Sequence, residues 1–261
     1  MWRETRLATP KLDLASTLAL SVRADTVGSM TRAVDLESVA HELGCRVQSF
    51  TEPSTEHSRH LASLVPRAAA DQPFDIVFNN SVSDRRQRFS IAHELGHTFF
   101  FDRSSTPPRR LPSRHTEEEE KFCDLFAREL LFPACNVPSE PTVDDVDMLA
   151  HRFQVAAQVV GLQCWASGRF PWRALAWLWW SPTPRDRQNW GLRVAWTITP
   201  PGVFVPTEAK YRGGPALDAY QQQRRVKGTS ELRLGTLRGS FKQLARPSGS
   251  GVLLGVLNET K

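Results

Sequence analysis

The stretch Arg86-Gln-Arg-Phe-Ser-Ile-Ala-His-Glu-Leu-Gly-His97 decides how this chain is read. From Asp84 onward, Phe89, Ala92, Leu95, Gly96 and Phe99 share one stripe at helical spacing, which predicts that the H-E-x-x-H run lies in mid-helix. His93 and His97 leave such a helix from the same face one turn apart, so their imidazoles can converge on one ion. Glu94, beside the first histidine, can face the remaining coordination position and take a proton from water that the metal activates. Phe89, Ile91 and Ala92 before the motif and Phe99, Phe100 and Phe101 after it argue for burial, where unpaired histidines are costly. With 7 histidines and 15 glutamates among 261 residues, the motif arises by chance about once in a hundred such chains, so it carries weight but needs support.

A catalytic zinc takes three protein ligands and keeps one position open. The third can come from the acidic helix start Glu117 to Glu120, whose pattern continues through Phe122, Leu125, Phe126, Glu129 and Leu130 and stops at Pro133. Glu120 is the candidate, because Glu120-Lys-Phe-Cys-Asp124 places a second carboxylate one turn later. There Asp124 can hydrogen-bond a ligand histidine and set its tautomer. Glu119 and His115 are the alternatives for the third ligand, although Glu117, Glu118 and Glu119 read most simply as a solvated helix start favoured by the helix dipole. Two histidines and a glutamate accept Zn2+ or Mn2+. For transition-state stabilisation the sequence offers no assignment: Tyr211 and Tyr220 are far from the motif, and His115, His151 and Arg128 cannot be placed by spacing.

Upstream, Val34 to Leu43 carries apolar residues at helical spacing and stops at Gly44. Cys45 to Phe50 and Phe74 to Phe78 read as strands with a polar connection over 51–60, and residues 1–30 show no sustained period. Downstream, Val143 to Phe153 and Val155 to Trp165 form a helical pair with a tight joint near Gln154, a helix-turn-helix outline. From Phe170 onward, strands are expected at Leu175 to Trp180, Leu192 to Thr199, Gly202 to Val205, Leu232 to Leu237 and Val252 to Val256. Seven of the eight tryptophans follow residue 164, where they either pack a buried strand or line a pocket for a small-molecule signal. The expected architecture is α+β: an N-terminal extension at 1–30, a zinc metallopeptidase domain at 31–138, a helix-turn-helix-like segment at 139–168 and a β-rich, Trp-containing domain at 169–261.

Charge divides along the same line. Up to residue 150 there are 17 Lys+Arg against 23 Asp+Glu, and after it 16 against 5, so a segment of −6 precedes one of +11. The basic part faces nucleic acid or an acidic partner, or is a solvated face; Arg224, Arg225 and Lys227 read as solvated. Against DNA reading stands the second helix of the pair, Val155 to Trp165, which carries no Arg or Lys. Cys45, Cys123, Cys135 and Cys164 show no C-x-x-C spacing, which favours reduced, packed thiols. The longest apolar run, Ala174 to Trp180, is too short to span a bilayer, and no cleavable signal is seen, so the expectation is a cytoplasmic protein without a membrane partner.

Taken together, Arg86 to His97 followed by Glu120-Lys-Phe-Cys-Asp-Leu-Phe-Ala-Arg-Glu-Leu-Leu-Phe-Pro133 resembles the ImmA/IrrE metallo-endopeptidases. The likeness takes in Val34 to Gly44 and the helix pair at 143 to 165, covering roughly residues 30 to 165. It implies a gluzincin-like zinc peptidase in which His93, His97 and Glu120 bind zinc and Glu94 is the general base. Asp124 stands where the family commonly has Asn, and Phe132 where it has Met. The resemblance further implies a protein substrate, a helix-turn-helix repressor whose cleavage switches on a stress or mobile-element response. It also places a GAF-like sensor after residue 170, although no motif there confirms one. A DNA-binding or ligand-sensing regulator with a structural or inactive metal site is the alternative.

Overall fold

The computed structural model describes residues 5–51, 61–69, 71–111, 116–180, 191–207, 209–211 and 213–257. Packing separates two compact units, Met1–Asn136 with His151–Val159, and Val137–Ala150 with Val160–Lys261. The division runs through both helices of the downstream pair, so the segment expected as a module of its own at 139–168 is shared between the units.

In the first unit, residues 12–27 form helix α1 (Leu12–Val27), although the sequence there showed no sustained period. Its buried positions, Ala15, Leu18, Ala19, Val22 and Arg23, do recur at helical spacing; two alanines and an arginine hide the stripe. Arg23 is fully buried, and its guanidinium donates to the backbone carbonyls of Ser29, Leu130 and Arg32, the first at 3.0 Å and the second at 2.5 Å. Helix α2 (Leu36–Glu42) starts where the Asp35 carboxylate accepts from the Glu37 amide at 3.1 Å and the Ser38 hydroxyl at 2.6 Å. It ends at Gly44, whose φ of +72° turns the chain into β1 (Cys45–Phe50).

Strands β1, β2 (Ala62–Pro66) and β3 (Phe74–Asn79) form a sheet in the order β1-β3-β2, with β1 parallel and β2 antiparallel to β3. The sequence reading missed β2. Helix α3 (Asp84–His97) is followed by a 3-10 turn at Thr98–Phe100, then β4 (Phe101–Asp102), which pairs with β5 (Arg109–Arg110). The H-E-x-x-H run therefore occupies the last turns of α3 and not its middle. Helix α4 (Glu117–Leu131) is capped by the Thr116 hydroxyl, which accepts from the Glu119 amide at 3.1 Å, and four glutamates in its first turn complement the helix dipole. It packs against α1 and α3. Phe99 meets Phe122 and Phe126 edge-on at 6.4 and 5.3 Å, and Phe100 meets Phe122 at 5.1 Å, so the aromatic run after the motif clamps α3 to α4.

Helices α5 (Val143–Phe153) and α6 (Ala157–Ala166) are joined at Gln154, which adopts a φ of +56°. In the second unit, six antiparallel strands follow: β6 (Ala174–Trp180), β7 (Leu192–Ile198), β8 (Lys210–Tyr211), β9 (Val226–Leu234), β10 (Leu237–Ser248) and β11 (Gly251–Leu257). Their order is β8-β7-β6-β11-β10-β9, and β8 and β9, the two ends, approach one another. Helix α7 (Pro215–Gln222) covers β9, β10 and β11.

Two strand expectations fail here. Gly202–Val205 is a turn and irregular chain, and Leu232–Leu237 contains the hairpin turn Gly235-Thr236, flanked by strands far longer than the apolar pattern suggested. In β9 every second residue, Lys227, Thr229, Glu231 and Arg233, is exposed and polar, and most of β10 is only part-buried, so the short apolar stretch around the turn is what looks like strand in sequence. Arg224, Arg225 and Lys227 are exposed, as expected; Arg225 also pairs with Asp144, and Lys227 belongs to β9. The tryptophans of β6 pack: Trp180 stacks on Tyr220 at 5.1 Å, and a Cβ at Gly251 would lie 2.8 Å from the Trp177 ring. Among the described residues no helix is long and apolar enough to cross a membrane, and the four cysteines are free, three of them buried.

Candidate metal centre

The site depends on how closely α3 and α4 approach. At Gly96 a Cβ would lie 3.1 Å from the Cα of Cys123, so only glycine lets the backbones come this near without displacement. One residue after Gly96, and three before it, His97 and His93 project toward the first two turns of α4. There the Nε2 atoms of His93 and His97 are 3.2 Å apart, Nε2 of His93 lies 3.2 Å from Glu120 Oε2, and Nε2 of His97 lies 3.6 Å from Glu120 Oε1.

The opposite ring nitrogens are each held by a carboxylate. Nδ1–H of His93 donates to Asp124 Oδ1 at 2.8 Å, and Nδ1–H of His97 donates to Glu119 Oε1 at 2.7 Å. Since ionised carboxylates only accept, these partners place the protons on both Nδ1 atoms and leave both Nε2 lone pairs facing each other and Glu120. Two Nε2 lone pairs and a carboxylate turned toward one point suit a cation. Four ligands at 2.0 to 2.1 Å in a tetrahedron lie about 3.3 Å from one another, and the observed separations match that edge. The donor set therefore fits a divalent metal.

Electrostatics follow the same geometry. Burial pulls the His93 imidazole down, but the hydrogen bond and charge of Asp124, with Glu94 and Glu120 near, raise it overall. Burial pushes the Glu119 carboxyl up, yet hydrogen bonds from His97 and Arg110 and their charges hold it below the ordinary carboxylate range. Cys123 also lies close, and His93, His97 and Cys123 form a second conceivable ligand set. Its Sγ is 3.3 Å from Nδ1 of His97, the nitrogen already bonded to Glu119, and not from the Nε2 atoms that converge. Burial, then the surrounding Glu119, Glu120, Glu94 and Asp124, push the thiol well above its usual range, which disfavours the thiolate a metal needs. Geometry and charge both favour Glu120.

The structure thus brings His93, His97, Glu120 and Asp124 together, with Glu94 beside them on a cleft of about 680 Å³. That cleft is walled by Leu61, by Ala62, Ser63 and Leu64 of β2, and by Phe89, Ser90, Phe101 and Arg110. His115 lies outside the described residues. Glu119, read as part of a solvated helix start, is instead fully buried, and Arg110 pairs with it. A signal for Glu119 existed: the buried stripe Phe122, Cys123 and Phe126 extends one turn back to position 119. Nothing in the spacing pointed to Arg110, which arrives from β5.

Comparison with curated proteins finds no match to the chain. Residues 40–164 match the family model Peptidase_M78, the IrrE N-terminal-like domain, a span that takes in α3, α4 and the whole cluster around His93. Over this span the chain is similar to the IrrE N-terminal-like domain of the Peptidase_M78 family, in agreement with the resemblance read from its motifs.

Proposed function

We propose that the chain is a metal-dependent endopeptidase in which His93, His97 and Glu120 hold the ion, zinc or manganese, and Glu94 is the general base. The observation that carries this reading is the convergence of two Nε2 atoms and one carboxylate at 3.2 to 3.6 Å, each histidine backed by its own acid. When bound, such an ion supplies Lewis acidity that polarises the scissile carbonyl and makes water easier to deprotonate. Glu94 takes the proton from the attacking water and passes it to the departing amine. Asp124 keeps the His93 proton on Nδ1, so that Nε2 stays a ligand.

The cleft suits an extended peptide. Among the described residues strand β2 lies at the edge of its sheet, the position at which an extended peptide can add as a further strand, and Ala62, Ser63 and Leu64 line the cleft beside the histidines. The substrate proposed is a helix-turn-helix repressor whose cleavage releases a stress or mobile-element response. That part rests on family likeness, since a site declares its chemistry and not its substrate.

The test is metal content and repressor cleavage by the purified protein beside Glu94→Gln. The variant should retain the metal and lose about 10² to 10⁴ in turnover. Wild type that holds metal, cuts no candidate repressor and binds DNA with a steep salt dependence would replace the peptidase by the regulator reading.

A further inference from the structure

Glu119 is fully buried, although Glu117 and Glu118 in the same helix start are exposed. Its Oε1 receives two donors, Nδ1–H of His97 at 2.7 Å and Nη2 of Arg110. Arg110 is fixed in turn by the pairing of β5 with β4, Arg110 opposite Phe101, and its guanidinium lies 5.4 Å from the Phe101 ring centroid. A carboxylate buried without a cation is expensive, so the arginine explains how an anion can persist there. An imidazole free in solution prefers the proton on Nε2, the nitrogen needed here as a ligand, so something must hold the proton on Nδ1. For His93 that is Asp124. For His97 the carboxylate on Nδ1 is Glu119.

We propose that Glu119 and Arg110 are positioning residues for His97: Glu119 fixes its tautomer and ring orientation, and Arg110 supplies the counter-charge that keeps Glu119 in place. The pair makes a second carboxylate-histidine couple beside that of Asp124 and His93. It also ties the second half of the site to the β4–β5 hairpin, because the same guanidinium lines the substrate cleft. The inference rests on His97 being a metal ligand through Nε2.

Two measurements on the full chain test it. Long-range proton–nitrogen correlation on the metal-free protein should show His97 as the Nδ1–H tautomer, and Glu119→Ala should move it toward the Nε2–H form. Titration with Co2+, read by visible absorption, should show affinity 10- to 100-fold weaker in Glu119→Ala, with partial recovery in Glu119→Gln, whose amide oxygen still accepts from Nδ1–H. Arg110→Met should weaken Co2+ binding as well, and adding it to Glu119→Gln should cost less than the two separate losses combined, because Arg110 acts through Glu119. Should Glu119→Ala fail to fold, the near-isosteric Glu119→Gln with Arg110→Met carries the test. An unchanged His97 tautomer together with Co2+ affinity within about threefold of wild type would overturn the proposal. Wild type that binds no Co2+ would instead sink the metal reading, while the tautomer measurement would still decide the role of Glu119.

Discussion

At the scale of single residues, the centre is defined by which nitrogen of each histidine is free. Asp124 and Glu119 occupy the two Nδ1 positions, so the ion is expected on the Nε2 side with Glu120. Cys123 sits on the other side of His97, and this gives an unambiguous contrast. Glu120→Ala should leave the purified protein without stoichiometric metal, whereas Cys123→Ala should retain it; elemental analysis of both variants decides. The reverse result would make the thiol the third ligand. The cluster of His93, His97, Glu94, Glu120 and Asp124 was legible in sequence, because side chains that gather from two helices are written in i, i+1 and i, i+4 spacings that survive without coordinates. Arg110 was not, since it comes from a two-residue strand with no periodicity of its own.

At the scale of elements, the site is a contact between two helices, and the contact is governed by Gly96. A methyl group there would press on the Cys123 backbone at 3.1 Å, so α3 and α4 must separate by a few tenths of an ångström. Gly96→Ala is expected to destabilise the protein by about 1 to 3 kcal/mol in denaturant unfolding and to weaken metal binding as the ligands spread. Helix α1 is joined to the end of α4 by the buried Arg23, whose guanidinium donates to the Leu130 carbonyl. Arg23→Met would keep the volume and strand three carbonyls, a loss of about 2 to 4 kcal/mol measurable by the same method; a change under about 0.5 kcal/mol would mean that water replaces the arginine. This helix escaped the sequence reading because hydrophobic periodicity is sought among large apolar side chains, and its stripe is built on alanine and arginine.

At the scale of the whole molecule, the two units carry different spectroscopic reporters. The described tryptophans all lie at residue 165 or later, in the second unit, whereas the metal cluster lies in the first. An ion that binds only the folded first unit should stabilise it by about 2.7 kcal/mol at a hundred times its dissociation constant. Chelation is therefore expected to lower the unfolding midpoint seen by far-ultraviolet circular dichroism and to leave the tryptophan fluorescence transition nearly unmoved. Equal shifts of both would show the units unfolding as one cooperative body. The excess of positive charge after residue 150 belongs mainly to the second unit, where part of it is already committed: Arg225 and Arg246 pair with Asp144, and Arg246 also with Asp147.

By itself the sequence determined the helices that carry the histidines and acids, the two strands before them and the general character of the C-terminal part. It could do so because local periodicity and motif spacing depend only on residues within a few turns of one another. Tertiary structure alone decided that Glu119 turns inward onto His97, that Arg110 meets it from another element, and that Glu120 converges on the Nε2 atoms while Cys123 lies behind. It also decided the pairing of the long strands β9 and β10, whose polar, partly exposed residues carry little apolar pattern. Each of those outcomes depends on contacts between distant parts of the chain, and distances of that kind are not encoded in any local pattern.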